Sequence, residues 1–218
     1  MPPVSREDVQ QEMIGAFVHE MRTPLTSLRM VIEIARRSSQ GPGITLDDEL
    51  TTMLQQALGD LQGLADNMQE ASRLERGKVR TNPAPCDLAT VLAGAREELD
   101  GACTLQLDDP ASVEGSWDAP RLQDAIAAAA RSAARCGDGT NTVRCAVNAT
   151  PAACTLTLSC GEPGGEPRPV NADLGYPFFR AYITVLALGG SVDVDRAENY
   201  CAISLTLPLE AAARQGAG

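Results

Sequence analysis

Two long apolar stripes of helical period, separated by a Gly-Pro-Gly break, decide most of what this chain can become. Between Val9 and Ala35 the apolar positions Met13, Ile14, Phe17, Met21, Leu25, Leu28, Ile32 and Ala35 recur at spacings of three and four, the period of one helix face. Gly41-Pro42-Gly43 ends that pattern, because proline cannot continue a helix and glycine gains little from one. A second stripe runs through Leu50, Met53, Leu54, Ala57, Leu58, Leu61, Leu64, Ala65, Met68, Ala71 and Leu74. Asp47 or Asp48 suits its N-cap, and Gly77 its stop. At 1.5 Å per residue each helix spans about 40–50 Å. Joined by a short loop, the two form an antiparallel hairpin that cannot cover both stripes alone. Two hairpins from two chains can, as a four-helix bundle. The expectation is therefore a homodimer; the alternative is a monomer whose C-terminal half covers the stripe.

The pattern changes after a short linker at Thr81–Pro85. Leu88–Leu99 and the alanine-rich Arg121–Ala134 read as helices, and Phe178–Leu188 as an apolar helix ending at Gly189-Gly190. Thr104–Leu107, Val113–Ser116, Thr142–Val147, Thr155–Ser159, Ser191–Asp195 and Ala202–Leu207 read as strands, the last two as a closing hairpin. Mixed helices and antiparallel strands predict a two-layer sandwich and place the chain in the α+β class. The expected organisation is a helical hairpin over 1–78, the α/β sandwich over 79–210 and a frayed tail over 211–218.

Composition removes several function classes. The 218 residues carry 18 Lys+Arg against 29 Asp+Glu, a formal charge of −11. Such a field repels phosphate backbones and anionic lipid, so neither nucleic acid nor membrane is an expected partner. Aromatic residues make up only 3%, too few for base-stacking platforms. No apolar run reaches the length of a membrane span, and Met1–Gln11 has no signal-peptide core. Seven cysteines without a C-x-x-C pair, beside a single histidine, argue against a zinc cluster and for reduced thiols in a cytoplasmic protein.

That single histidine opens the one sharp motif, His19-Glu20-Met21-Arg22-Thr23-Pro24-Leu25. His19 lies off the apolar stripe, in a polar row with Arg22, Thr23, Thr26, Arg29 and Glu33. An imidazole in water keeps a neutral nitrogen around pH 7 and can take a phosphoryl group onto it. Glu20 can accept a hydrogen bond or a proton from the ring. Thr23, one turn on, can position a water or a phosphoryl oxygen. Pro24 lacks an N–H and crowds the Glu20 carbonyl, which predicts a kink just past the histidine at a cost of about 3 kcal/mol.

This segment resembles the phosphoacceptor box H-E-x-R-T-P-L of two-component histidine kinases, carried on the first helix of a dimerisation and phosphotransfer hairpin. Arg73-Leu74-Glu75-Arg76-Gly77-Lys78-Val79 and Cys86-Asp87-Leu88 resemble that family's passage into its ATPase-like domain. The resemblance weakens where nucleotide chemistry would be. Two Asn positions of the family's Mg²⁺-binding helix correspond to Ala128 and Ser132, poor Mg²⁺ ligands. The adenine-reading D-x-G-x-G corresponds to Cys160-Gly161-Glu162-Pro163-Gly164, with Glu162 set to repel phosphates, and the glycine-rich lid to Gly175-Tyr176-Pro177-Phe178-Phe179-Arg180. Gly189-Gly190 and Leu207-Pro208 match structural end pieces of the family.

The resemblance implies a histidine phosphotransferase, similar to dimeric phosphotransferases that share the kinase fold without binding ATP. His19 passes a phosphoryl group between aspartates of response-regulator receiver domains, with Glu20 and Thr23 assisting. Arg22, Thr26 and Arg29 meet the receiver's acidic pocket. No cofactor of its own is expected, since the receiver supplies Mg²⁺, and no sensor segment is evident, so input is expected from another protein such as a hybrid histidine kinase. The alternatives are a receiver phosphatase using Glu20 and Thr23, a histidine kinase with an aberrant ATP site, and a non-catalytic module that binds a receiver or kinase.

Overall fold

A computed structural model describes residues 6–38, 46–75, 81–99, 101–108, 112–164, 174–197 and 199–210. The Gly41-Pro42-Gly43 break, the Gly77 stop and the tail from Ala211 lie outside them. Helix α1 (Arg6–Ser38) runs through Pro24 unbroken, and α2 (Asp48–Glu75) returns beside it. The Asp47 carboxylate accepts from the Leu50 N–H at 2.8 Å, so Asp47 is the cap that starts α2.

The apolar stripe of α1 divides. Val31 and Ala35 are fully buried against Leu50, with Met53 and Leu54 alongside, and Pro24 is buried too. Leu25 and Ile32 stay 49% and 46% exposed, as do Ile14 and Val18 on the same side and Leu58 on α2. In the single chain Leu25 and Ile32 lie outside, because one neighbouring helix covers only a narrow seam and Val31 and Ala35 fill it.

The second part is a two-layer sandwich. In chain order it comprises β1 (Ala84–Asp87), α3 (Leu88–Glu98), β2 (Thr104–Leu107), β3 (Glu114–Trp117), α4 (Ala119–Cys136), β4 (Thr142–Ala149), β5 (Ala153–Gly161), α5 (Gly175–Ala187), β6 (Ser191–Ala197) and β7 (Tyr200–Pro208). Five strands form one sheet in the order β2-β4-β5-β7-β6, antiparallel except for the β2–β4 pair. β1 and β3 make a separate antiparallel ribbon. The expected linker Thr81–Pro85 is thus corrected at its end: Ala84 and Pro85 pair with Trp117 and Ser116. Proline is tolerated because a two-stranded ribbon has only edges.

Alternation drives the sheet. β5 buries Cys154, Leu156, Leu158 and Cys160 and turns the residues between them outward. β7 buries Cys201, Ile203, Leu205 and Leu207 on the same layer. Edge strand β6 sends Val192 and Val194 toward the core and Ser191, Asp193 and Asp195 to solvent. Helices α3, α4 and α5 supply the facing layer. Helix α4 buries Ala125 and Ala127–Ala130, small side chains that let its neighbours come close. Asp118 caps α4 and also accepts from the Asn82 N–H at 2.9 Å, tying the start of the domain to its centre. Trp117, 1% exposed, donates from Nε1 to the Pro208 carbonyl at 2.7 Å, which fastens the ribbon to the end of β7.

The hairpin is not left standing apart. Both α1 and α2 pack on α5, and the Phe17 and Tyr176 rings lie 6.0 Å apart, centre to centre. The C-terminal half therefore covers part of the hairpin, while the Leu25–Ile32 side remains open.

Candidate phosphoacceptor site

His19 is exposed on α1 at the wall of an open cleft of about 780 Å³. Glu20, Thr23 and Pro24 line the same wall. Across it, α2 contributes Gly59, Asp60, Gly63 and Leu64, and α4 contributes Arg135. Thus the helical hairpin and the sandwich build the cleft together. Gly59 and Gly63 sit one turn apart, and a methyl group on either would meet nothing within 4 Å. The Asp60 carboxylate accepts from the Gln56 amide at 3.0 Å.

Glu20 does not hang free beside the histidine. One oxygen, Oε1, accepts from the Tyr176 backbone N–H at 3.2 Å and lies 3.4 Å from Nη1 of Arg135. Gly175, the first residue of α5, stands against this contact with φ +73°. A side chain there would come 3.0 Å from Arg135 Nη1 and 3.4 Å from Glu20 Oε1, so space and backbone conformation both select glycine.

Thr23 is exposed, one turn beyond His19, and its carbonyl accepts from the Ser27 hydroxyl at 3.3 Å. Arg22 and Arg29 are exposed on α1. The Thr26 hydroxyl donates to the Arg22 carbonyl at 2.7 Å, so it serves the helix backbone. Glu33, the carboxylate one turn from Arg29, pairs with Arg37. The structure brings His19, Glu20 and Thr23 together at the cleft; Arg22, Thr26 and Arg29 are not among the residues lining it.

Sequence reasoning missed Arg135, Tyr176, Gly59 and Asp60. Counting outward from the turn along both helices would have put Asp60 at the level of His19–Pro24. Nothing local in the sequence announces Arg135, which reaches Glu20 across 115 positions.

The positions where nucleotide chemistry was sought are occupied by packing. Ala128 is 2% exposed, and the fully buried Ser132 donates its hydroxyl to the Ala128 carbonyl at 3.1 Å. Cys160 is buried, and burial pushes its thiol above the ordinary range. It donates to Asp138 at 3.4 Å, a carboxylate that also accepts from the Thr140 N–H and hydroxyl. Gly161 has φ +86°, and a side chain there would strike the Asn199 carbonyl, so the fold itself demands this glycine. Glu162, expected to repel phosphates, lies 3.5 Å from Arg144, an exposed pair that partly offsets its charge. Among the described residues no group of three His, Cys, Asp or Glu side chains could hold a metal ion, and no helix is long and apolar enough to cross a membrane.

Residues 9–77 match the His Kinase A (phospho-acceptor) domain. A stretch of 91 residues, 42% of this chain, is 26% identical to the alginate biosynthesis sensor protein KinB of Pseudomonas aeruginosa and spans 15% of that relative's length. Among solved structures, the Acinetobacter baumannii histidine kinase AdeS superposes with a TM-score of 0.66 at 17% identity, over 88% of this chain and 98% of that one. Histidine kinase ThkA, solved in complex with the response regulator protein TrrA, gives a TM-score of 0.57 at 15% identity, over 94% of this chain and 63% of that one. Residues 9–77 thus form a His Kinase A (phospho-acceptor) domain, and the hairpin followed by an α/β layer has the fold of the histidine kinase AdeS.

Proposed function

We propose that this chain is a histidine phosphotransferase that relays a phosphoryl group between receiver aspartates through His19 and does not use ATP. One contrast carries the reading. His19 stands exposed at an open cleft, whereas Ala128 and Ser132 are sealed inside the sandwich with no side-chain atom available to a nucleotide. The residues present do not fit an ATP–Mg²⁺ site at these positions. Alanine offers no ligand, the Ser132 hydroxyl serves its own helix, and the Cys160 thiol is turned to Asp138.

In the transfer, a ring nitrogen of His19 attacks the phosphorus of an aspartyl phosphate. An N–P bond forms as the P–O bond breaks, and the electron pair leaves with the receiver carboxylate. The reverse step onto a second receiver restores the neutral imidazole. The chain supplies a nucleophile and its placement, and placement is a large part of any phosphoryl-transfer barrier. ThkA has been solved with a response regulator, which supports receiver domains as partners for this chain too. The exposed Leu25–Ile32 side of α1 supports a second copy of the hairpin as a further partner, completing a four-helix bundle.

The test is label transfer. Purified protein is incubated with γ-labelled ATP and Mg²⁺, or with a panel of phosphorylated receivers, and label on His19 is followed alongside calorimetry with ATP. The expected result is label from a receiver and none from ATP. A lost charged hydrogen bond to adenine costs about 1.5–3 kcal/mol, or roughly tenfold to a hundredfold in affinity. Label from ATP alone, or saturable ATP binding at micromolar concentration, would return the chain to the kinases.

A further inference from the structure

We infer that Arg135 is a positioning residue for phosphoryl transfer at His19, acting by holding the Glu20 carboxylate against the start of α5. This rests on the phosphotransferase reading and extends it to a residue of the α/β layer. Three observations converge. Arg135 lines the same cleft as His19, although it comes from the last turn of α4. Its guanidinium lies 3.4 Å from Glu20 Oε1, on the side chain next in sequence to the nucleophile. The Tyr176 N–H holds the same oxygen, and Gly175 is a glycine in a conformation and space that keep this contact open.

The charge balance of the cleft says what the contact does. Two carboxylates, Glu20 and Asp60, face a cleft that must admit a phosphoryl dianion. Like charges at close range oppose its entry, and the partly buried walls weaken solvent screening. Arg135 ties Glu20 back and places a positive charge in the same cleft. Released, Glu20 is able to swing toward the ring, where it both repels the incoming phosphate and hydrogen-bonds the imidazole out of line. Misplacement of a reacting group by about 1 Å costs up to about a hundredfold in rate.

The experiment compares Arg135→Ala, Arg135→Gln and Arg135→Lys, with Glu20→Ala and the Glu20→Ala/Arg135→Ala double variant. Each is assayed with a phosphorylated receiver and with phosphoramidate, a small donor that needs no docking. Arg135→Ala and Arg135→Gln are expected to lower kcat about 10- to 100-fold, with KM for the receiver within about threefold. Arg135→Lys, which keeps the charge, recovers most of the rate. The double variant is no slower than Glu20→Ala, because the arginine acts through the glutamate. The same order holds with phosphoramidate. If Arg135→Ala does not fold, the Lys and Gln pair carries the comparison. Wild-type rates in the Gln variant with both donors, or multiplicative losses in the double variant, overturn the inference. If phosphoramidate labels the wild type and the variants fall in the expected order while no receiver labels His19, the relay reading fails and the role of Arg135 stands.

Discussion

Replacing Gly59 and Gly63 together by alanine should make the protein more stable and a worse receiver of phosphate. Both glycines sit well inside α2, exposed, where an added methyl meets nothing within 4 Å. A glycine inside a helix costs about 0.8–1.0 kcal/mol relative to alanine, mostly as extra freedom of the unfolded chain. Two such sites sum to about 2 kcal/mol, and a chain of this size gains about 2–4 °C in Tm per kcal/mol, so melting should rise by roughly 4–8 °C. Both glycines line the cleft that His19 also lines, so the added methyl groups take up space there. Overpacking against a docked partner costs about 1–3 kcal/mol, which should raise KM for a phosphorylated receiver by roughly five- to 150-fold. Differential scanning calorimetry and receiver-to-His19 transfer kinetics read the two effects separately. A lowered Tm would refute the open helix face. A raised Tm with unchanged KM would refute the cleft as the place where the receiver packs.

Leu25→Glu should leave the hairpin folded but shift sedimentation from dimer to monomer at tens of micromolar, because Leu25 is exposed in one chain and an unpaired charge in a bundle core is costly; a wild-type monomer at that concentration would dismiss the bundle. Stability should fall as pH rises above about 9. Burial pushes the Cys145 thiol up to about 12, with Asp108 and Cys154 adding to it, and burial raises Cys154 as well. The folded state then holds protons that the unfolded state releases, so the contribution is complete below the ordinary thiol range and is lost between it and about 12. Urea melts from pH 7 to 10.5 should show the loss, and Cys145→Ala should flatten part of it; parallel slopes in both proteins would speak against the buried thiol as its source.

The sandwich was legible in the sequence because its strands alternate cleanly, as in Cys154–Cys160, and because Gly189-Gly190 ends its last helix. Thr81–Pro85 was misread since prolines point away from strands, and only the partner β3 makes Ala84 and Pro85 a ribbon. The stripe on α1 was legible as apolar but not as divided. Periodicity puts Leu25, Ile32 and Ala35 on one stripe and passes over Val31, and it does not say which residues meet α2 and which are left outside. At the site, the box named His19, Glu20 and Thr23 because a local motif encodes them. Arg135 and Tyr176 became visible only when the fold carried them to Glu20.

The outward row of β6 bears on how the protein survives its own concentration. An edge strand offers unpaired backbone groups to any other edge, and a copy of the same chain is the nearest candidate. Ser191, Asp193 and Asp195 stand exposed along that edge strand, alternating with the inward Val192 and Val194. Two such strands brought together would set aspartates against aspartates before the first intermolecular ladder bond formed. At the other edge β2 is only four residues long, too short to template a stable addition. Charge on one side and brevity on the other both work against growth of the sheet by edge pairing.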